Sequence, residues 1–361
     1  MAWLSDSWEK RTKLTIDSTY INTDLTDPSL GIPLSILNTT NYFTEVLSAG
    51  EDVRLTKSDG ITELPFEFVR HDTGAETGLA YFKFSGILSS TVDTDLYINW
   101  GNPTASLPAR DSTYGSENAW SSAYKGVYHF EDSSFGDTDS INDSTSNLNH
   151  GTVDGTGCTT DTTSPFGGGM FLSGTAIIDL WDCGTEGIEN DWTISGYVNS
   201  ETGSKGHWIG HGYSGGKVCF VLSVGALRGW KGINVYSAGW GGCQSNDWDI
   251  YEGGWKRMVM TTRSDKTATG WKDGTVTHTC TNVKTMYSTT NMNIGSYTND
   301  NEYFKGDIDS MLFSTALDDD VVEAQYDALH TAAFWTVATE ETNPSYVSPG
   351  GGGTIQSSWF M

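Results

Sequence analysis

The sequence predicts an all-β protein made of two β-sandwiches in tandem, with one short helix near the C-terminus. Three observations carry this. Short runs rich in β-branched and aromatic residues recur along the chain, bounded by Gly, Asn, Asp and Ser turns. The chain holds 42 glycines and 12% aromatics, enough ring volume for two cores. Its 361 residues exceed one ordinary sandwich and suit two, at roughly 100–200 residues per domain.

In chain order, the first strands are expected at Lys13–Ile16, Ile32–Ile36, Asp52–Thr56, Leu64–Val69, Leu79–Phe84 and Asp95–Trp100. Ser58-Asp59-Gly60 is a hairpin-type turn, and Gly101-Asn102-Pro103 stops the last strand. No amphipathic helix is expected in residues 1–110. Residues 111–125 are polar and turn-rich and are assigned as a connector. A second β region, 126–335, opens at Gly126–Phe130. It continues through strands at Trp192–Val198, Val218–Ser223, Trp255–Thr261, Met292–Gly295 and Asp307–Phe313. Asp318–Leu329 is the one predicted helix, with acids in its first turn and Val321, Val322, Tyr326 and Leu329 on one face. Residues 336–361 are assigned as a tail, a flexible Asn343–Gly353 spacer closed by the apolar peptide Thr354–Met361. Such a peptide is either a docking strand for a neighbour or an unstructured end.

The formal charge is −26, from 20 Lys+Arg against 46 Asp+Glu. That field repels nucleic acid and anionic membrane, so neither is an expected partner. No stretch approaches a membrane span, and the Met1–Trp8 segment lacks the basic and apolar regions of a signal peptide. The five cysteines (Cys158, Cys183, Cys219, Cys243, Cys280) match no zinc or redox spacing and are read as small buried hydrophobes ahead of a disulfide framework.

Two family resemblances rest on particular stretches. Asp52-Val-Arg54 with Ser58-Asp-Gly60, then Glu63-Leu-Pro-Phe-Glu67 and Tyr97-Ile-Asn-Trp-Gly-Asn-Pro103, resemble the DUF2341 family over about residues 1–110. Five stretches in order resemble the laminin-G-like/concanavalin A-like superfamily over about 120–335. They are Gly126–Glu131, the Asp143–Gly151 loop, Trp192–Gly196, Trp255 with Gly270–Gly274, and Phe304–Asp309. The second resemblance implies that the second module is a jelly roll.

That resemblance also brings the opening and closing strands together. It thereby implies a structural Ca²⁺ site from Asp143, Asp309, Glu131 and Asn149, since Ca²⁺ takes six to eight oxygens from such groups. The alternative is an ordinary solvated acidic turn. Trp208, Trp230, Trp240 and Trp248 lie among glycines, which can leave an indole face open to stack on a sugar ring. Core packing is the competing role for each.

No catalytic constellation is expected. Glu186-Gly-Ile-Glu-Asn-Asp191 has the wrong spacing for the E-x-D-x-x-E strand of laminarinase-like enzymes, and His207 and His211 read as loop histidines. The expectation is therefore a non-enzymatic protein of a virion surface, a phage tail or capsid appendage. It would engage host or environmental glycans, join other virion proteins through its C-terminal peptide, and assemble as a homo-oligomer. The alternatives are an extracellular adhesin or carbohydrate-binding module, which would bind a cell-surface polysaccharide, and a decoration protein with no ligand.

Overall fold

The computed structural model describes residues 2–348 except 132–134, 136–137, 167, 183–185, 188–190, 202–205, 212–220, 228–229, 236–242, 245–253, 282–290 and 297–302. For residues 207, 211, 221–227, 230–235 and 243–244 it describes the backbone alone. The described residues form an all-β protein of two sandwiches with a short C-terminal helix.

In the first sandwich, Lys10–Ile16 pairs antiparallel with Thr94–Trp100, which pairs in turn with Arg54–Lys57. A second sheet sets Thr77–Lys83 between Ser29–Pro33 and Phe66–Asp72. Side chains alternate as the strand period requires, so Leu14, Ile16, Leu96 and Ile98 meet Leu30, Ile32 and Phe82 in one core. Two expected strands are cut short. Pro65 has no N–H for the ladder, and the predicted Leu64–Val69 run divides into Glu63–Leu64 and Phe66–Asp72. The predicted Ile32–Ile36 strand ends at Pro33. A 3₁₀ segment, Leu34–Thr39, follows because Leu34 and Leu37, three residues apart, both turn into the core.

The second sandwich packs two larger antiparallel sheets. One runs Cys158–Thr160, Met170–Ser173, Lys305–Ser314, Trp192–Ser200, Lys256–Thr262, Thr267–Lys272 and Thr275–Thr281, with Tyr124–Tyr128 also bonded to Lys305–Ser314. The other runs Thr152–Gly155, Ala176–Asp182, Asn291–Ile294, Gly206–His211, Val221–Leu227, Trp230–Val235 and Cys243–Gln244. Ile194, Met260, Ile308 and Phe313 from the first sheet bury against Ile178, Leu180, Trp208 and Ile294 from the second.

The boundary near residue 335 differs from the expected one. Trp335–Val337 and Glu341–Thr342 return to the first sandwich and pair with Lys10–Ile16. Lys10 bonds Glu340 at 2.7 Å, buried Arg11 bonds Glu341 at 2.7 Å, and Asn343 donates to the Ser5 and Trp8 carbonyls. Only residues 349–361 of the expected tail lie outside the described residues. The first module is thus completed by a segment that follows the second. Cys280 is disulfide-bonded, contrary to the reading of the cysteines as small buried hydrophobes, whereas Cys158 is a half-buried free thiol.

The helix spans Asp319–His330, as expected, but its buried side is wider than the predicted stripe. Ala324 and Ala328 join the first core, while Val322 packs on Val259 and Trp271 of the second sandwich. Gly31 lets the helix approach closely, because a Cβ there would lie 2.5 Å from Leu329. Trp335, buried and bonded through its indole N–H to the Ala328 carbonyl at 2.9 Å, locks the returning segment beneath the helix. Trp335→Ala should therefore cost about 3–5 kcal/mol in denaturant unfolding. A cost typical of an exposed site would show that the returning segment is dispensable.

Candidate functional site at the junction of the two sandwiches

The outer face of the Lys305–Ser314 sheet packs on the outer face of the first module's Thr77–Lys83 sheet. Leu79 and Tyr81 meet Tyr124, Val127 and Leu312 there, with Ala119 and Trp120 of the connector between them. Residues 111–125 are thus not a free linker; Ala119, Trp120 and Tyr124 are core. Inside this apolar junction, near Tyr81 and Tyr124, lie Glu67, His129 and Asp309. Glu67 accepts from the Trp120 indole at 2.7 Å, and its other neighbour, the His129 imidazole, lies 3.5 Å away. His129 is buried and stacks on Tyr81 at 5.7 Å. Asp309 is 1% exposed. It accepts from the Ser310 hydroxyl at 3.0 Å, while its second oxygen has no hydrogen-bond partner.

A β-bulge aims Asp309 at this junction. Ser195 and Tyr197 face Leu312 and Asp309, so Ser310 and Met311 together oppose the single residue Gly196. Ser310 adopts φ 47°, a left-handed conformation costly for a non-glycine residue, and Phe130, next to His129, sits at φ 57°. The extra residue keeps Asp309 and Leu312 on the junction face while Ile308 and Met311 stay in the core. Burial pushes the Asp309 carboxyl up to about 7, against the opposing pull of Ser164, Ser310 and His129. Burial works against the His129 imidazolium, but Glu67, Asp309 and Glu131 together hold its pKa above the ordinary value.

The four residues expected to hold Ca²⁺ fall in two places, Asp143 with Asn149 in one loop and Asp309 with Glu131 beside His129. Asp143 is fully buried, and both its oxygens are committed: Oδ1 to the Val127 and Thr145 amides, Oδ2 to the Thr145 hydroxyl and the Asn149 amide, all at 2.8–2.9 Å. It staples its own loop to the Tyr124–Tyr128 strand. Asn149 contributes its side-chain amide N–H to the Lys125 carbonyl at 2.7 Å. Asp309 faces His129 instead, and Glu131 lies against Gly168, where a Cβ would be 1.8 Å from its carboxylate. Among the described residues, no three acidic, His or Cys groups are placed to hold a metal ion.

The tryptophan set also changes. Trp208 is fully buried, because a register shift between His207 and Ile209 turns the indole into the core. It cannot stack on a ligand. Trp230 lies on a strand whose side chains are outside the described residues, as are Trp240 and Trp248 altogether. His207 and His211 lie on the Gly206–His211 strand, not in a loop, and Glu189 of the acidic stretch is outside the described residues.

What the sequence reading missed is a cleft over the junction, about 400 Å³. Ser35, Arg70 and Thr77 line it from the first sandwich; Thr162 and Phe166 line it from the second, and His330 closes it from the helix. Phe166 is held edge-on against Tyr197 at 4.9 Å, and the Tyr197 hydroxyl bonds His330 at 2.6 Å. Among the described residues, no carboxylate lines it. No local signal marks these residues, since they come from three regions of the chain.

No protein-family model and no curated protein matches this chain. Among solved structures, 57% of it is similar to 98% of domain 4 of AbnA, a GH43 extracellular arabinanase from Geobacillus stearothermophilus, in complex with arabinotriose (20% identity, TM-score 0.44). A further 10%-identical likeness, TM-score 0.41, relates 58% of it to 52% of the binding domain of botulinum neurotoxin DC in complex with rat synaptotagmin II. The same domain in complex with SialylT shows 9% identity, TM-score 0.40 and the same coverages. The chain thus spans about half of the toxin binding domain.

Two outcomes follow from the buried carboxylates. Asp143→Ala leaves three backbone amides without their acceptor in a buried loop, and should cost on the order of 3 kcal/mol or more in denaturant unfolding. Asp309 binds its proton more tightly folded than unfolded, so its contribution to stability is full below about pH 4 and is lost as pH rises to about 7. His129, with a raised folded pKa, acts in the same direction through and above about pH 6.5. The difference in Tm between Asp309→Asn and wild type should therefore grow in favour of the variant from pH 4 to pH 8. A pH-independent difference would contradict the burial argument.

Proposed function

We propose that this protein is a non-enzymatic glycan-binding protein whose ligand lies in the cleft between its two sandwiches. One observation carries this reading: the cleft gathers a half-buried aromatic ring, Phe166, with hydroxyls of Ser35, Thr77 and Thr162 and the Arg70 guanidinium. A sugar presents an apolar ring face and a rim of hydroxyls that each donate and accept. A ring surrounded by short polar side chains is its complement. The volume of about 400 Å³ falls within the range of small-ligand sites. Ligand sites also favour interfaces between modules, where two rigid frames hold the contacts.

The same lining argues against catalysis. Glycoside hydrolysis needs two carboxyl groups across the scissile bond, and the described cleft residues supply none. The acid with the most raised pKa nearby, Asp309, is sealed beneath Ser164 and cannot meet a ligand.

The test is binding of the full chain to an immobilised glycan panel, followed by calorimetry with the best binder and assay of the eluate for new reducing ends. Retention without cleavage is expected, with affinity falling about three- to tenfold in Phe166→Ala. New reducing ends would make the protein an enzyme. A folded chain silent across the panel would leave it a structural protein.

A further inference from the structure

We infer that the first sandwich carries a second, separate saccharide site, built by the 111–125 connector around Tyr114. This does not depend on the cleft: it stands on a different pocket and different residues. A hollow of about 340 Å³ opens between the connector and the first module. Asp111, Thr113, Tyr114 and Asn118 line it on one side; Glu63 and Lys83 line it on the other.

The connector holds this shape before any ligand arrives. Two successive turns close it, with the Ser112 amide donating to Ala109 at 2.9 Å and the Gly115 amide to Ser112 at 2.8 Å. The Asn118 side chain bonds the Ser112 carbonyl at 2.9 Å. Gly115 permits the fold, because a Cβ there would come within 1.9 Å of the Ala109 carbonyl. Below, Ala119 and Trp120 are buried in the junction, and the Ser29 hydroxyl bonds the Ala119 carbonyl at 2.9 Å. Above, Arg110 pairs with Glu117 at 3.5 Å and bonds the Asp143 carbonyl at 3.1 Å. A loop pinned at both ends loses little conformational freedom on binding.

Its chemistry suits a neutral sugar. Tyr114 is among the few exposed large hydrophobic side chains, at 38%. Asp111 and Lys83 make no hydrogen bond or ion pair through their side chains among the described residues. An unpaired carboxylate, an unpaired ammonium and an amide around one aromatic ring offer acceptors and donors in turn to ring hydroxyls. Glu63, engaged with Arg54 at 3.7 Å, adds further negative charge and leaves no net positive field to hold an acidic sugar.

The two pockets lie at opposite ends of one strand. Thr77 lines the cleft and Lys83 lines the connector pocket. Six residues of extended strand separate them by about 20 Å.

The experiment titrates the full chain with cellotriose, maltotriose, xylotriose, arabinotriose and tri-galacturonate, by calorimetry and ligand-observed NMR. Wild type, Tyr114→Ala, Tyr114→Phe and Phe166→Ala are compared, each first checked for an unchanged melting curve. At least one neutral trisaccharide should bind with an event weakened about tenfold or more by Tyr114→Ala. Tyr114→Phe and Phe166→Ala should leave that event intact. Binding abolished only by Phe166→Ala would overturn the second site while sparing the cleft. Loss of the cleft event alone in wild type, with the Tyr114-dependent event present, would overturn the cleft and spare this site. Preference for tri-galacturonate, or no Tyr114-dependent event with any trisaccharide, would also overturn it.

Discussion

Gln325 is where the two halves of the molecule meet. Its amide donates to the Ser29 carbonyl of the first sandwich at 3.1 Å and to the Tyr124 hydroxyl of the second, and its oxygen accepts from Arg257 at 3.2 Å. Arg257 also donates to the Val322 carbonyl at 3.1 Å, so one buried guanidinium ties a strand of the second sandwich to the helix. A buried amide is tolerated only when its donors and acceptor are used, and here three elements supply them at once. If the helix shifted, polar groups would be orphaned on both sides of the junction. The relative placement of the sandwiches, and with it the cleft, depends on this node.

Around that node the junction is built as a core, not as a docking of two finished domains. Tyr81, Trp120, Tyr124 and Leu312 come from the first sandwich, the connector and the second sandwich, yet pack as one cluster. The returning segment adds a covalent reason for the same arrangement. The chain leaves the first sandwich, builds the second, lays down the helix and then completes the sheet it began with. Burying the closing strand against Lys10–Ile16 commits the helix to lie between the modules.

Glu67, His129 and Asp309 add a second set of buried polar groups to the junction, beside Gln325 and Arg257. An incompletely satisfied carboxylate in such surroundings is held near neutrality by burial. The bulge at Ser310 and the left-handed Phe130 place these groups at an energetic cost that the surrounding packing offsets. The cleft and the connector hollow open beside this junction and at its connector, where rigid strands present short loops.

The alternation of apolar and polar residues, read alone, determined the all-β class, the helix and many strands, because strand and helix periods are local properties of neighbouring residues. It did not determine Met170–Ser173, Ala176–Asp182, Thr267–Lys272 or Thr275–Thr281. Gly and Pro placed the breaks in the same local way. Pro65 and Pro33 reset strand ends that alternation alone had carried too far. Long-range packing decided the rest. Whether Trp208 faces solvent turned on a one-residue register shift, and a slip of that kind moves a side chain to the other face. That Asp143 staples its own loop turned on which amides came within 2.9 Å of it. Residues 336–342 read as tail because nothing within that segment encodes its partner, a strand more than 300 positions earlier. Neither the cleft, gathered from Arg70, Phe166 and His330, nor the set of Glu67, His129 and Asp309 has a sequence signature. Their proximity exists only once two separate sheets are pressed together.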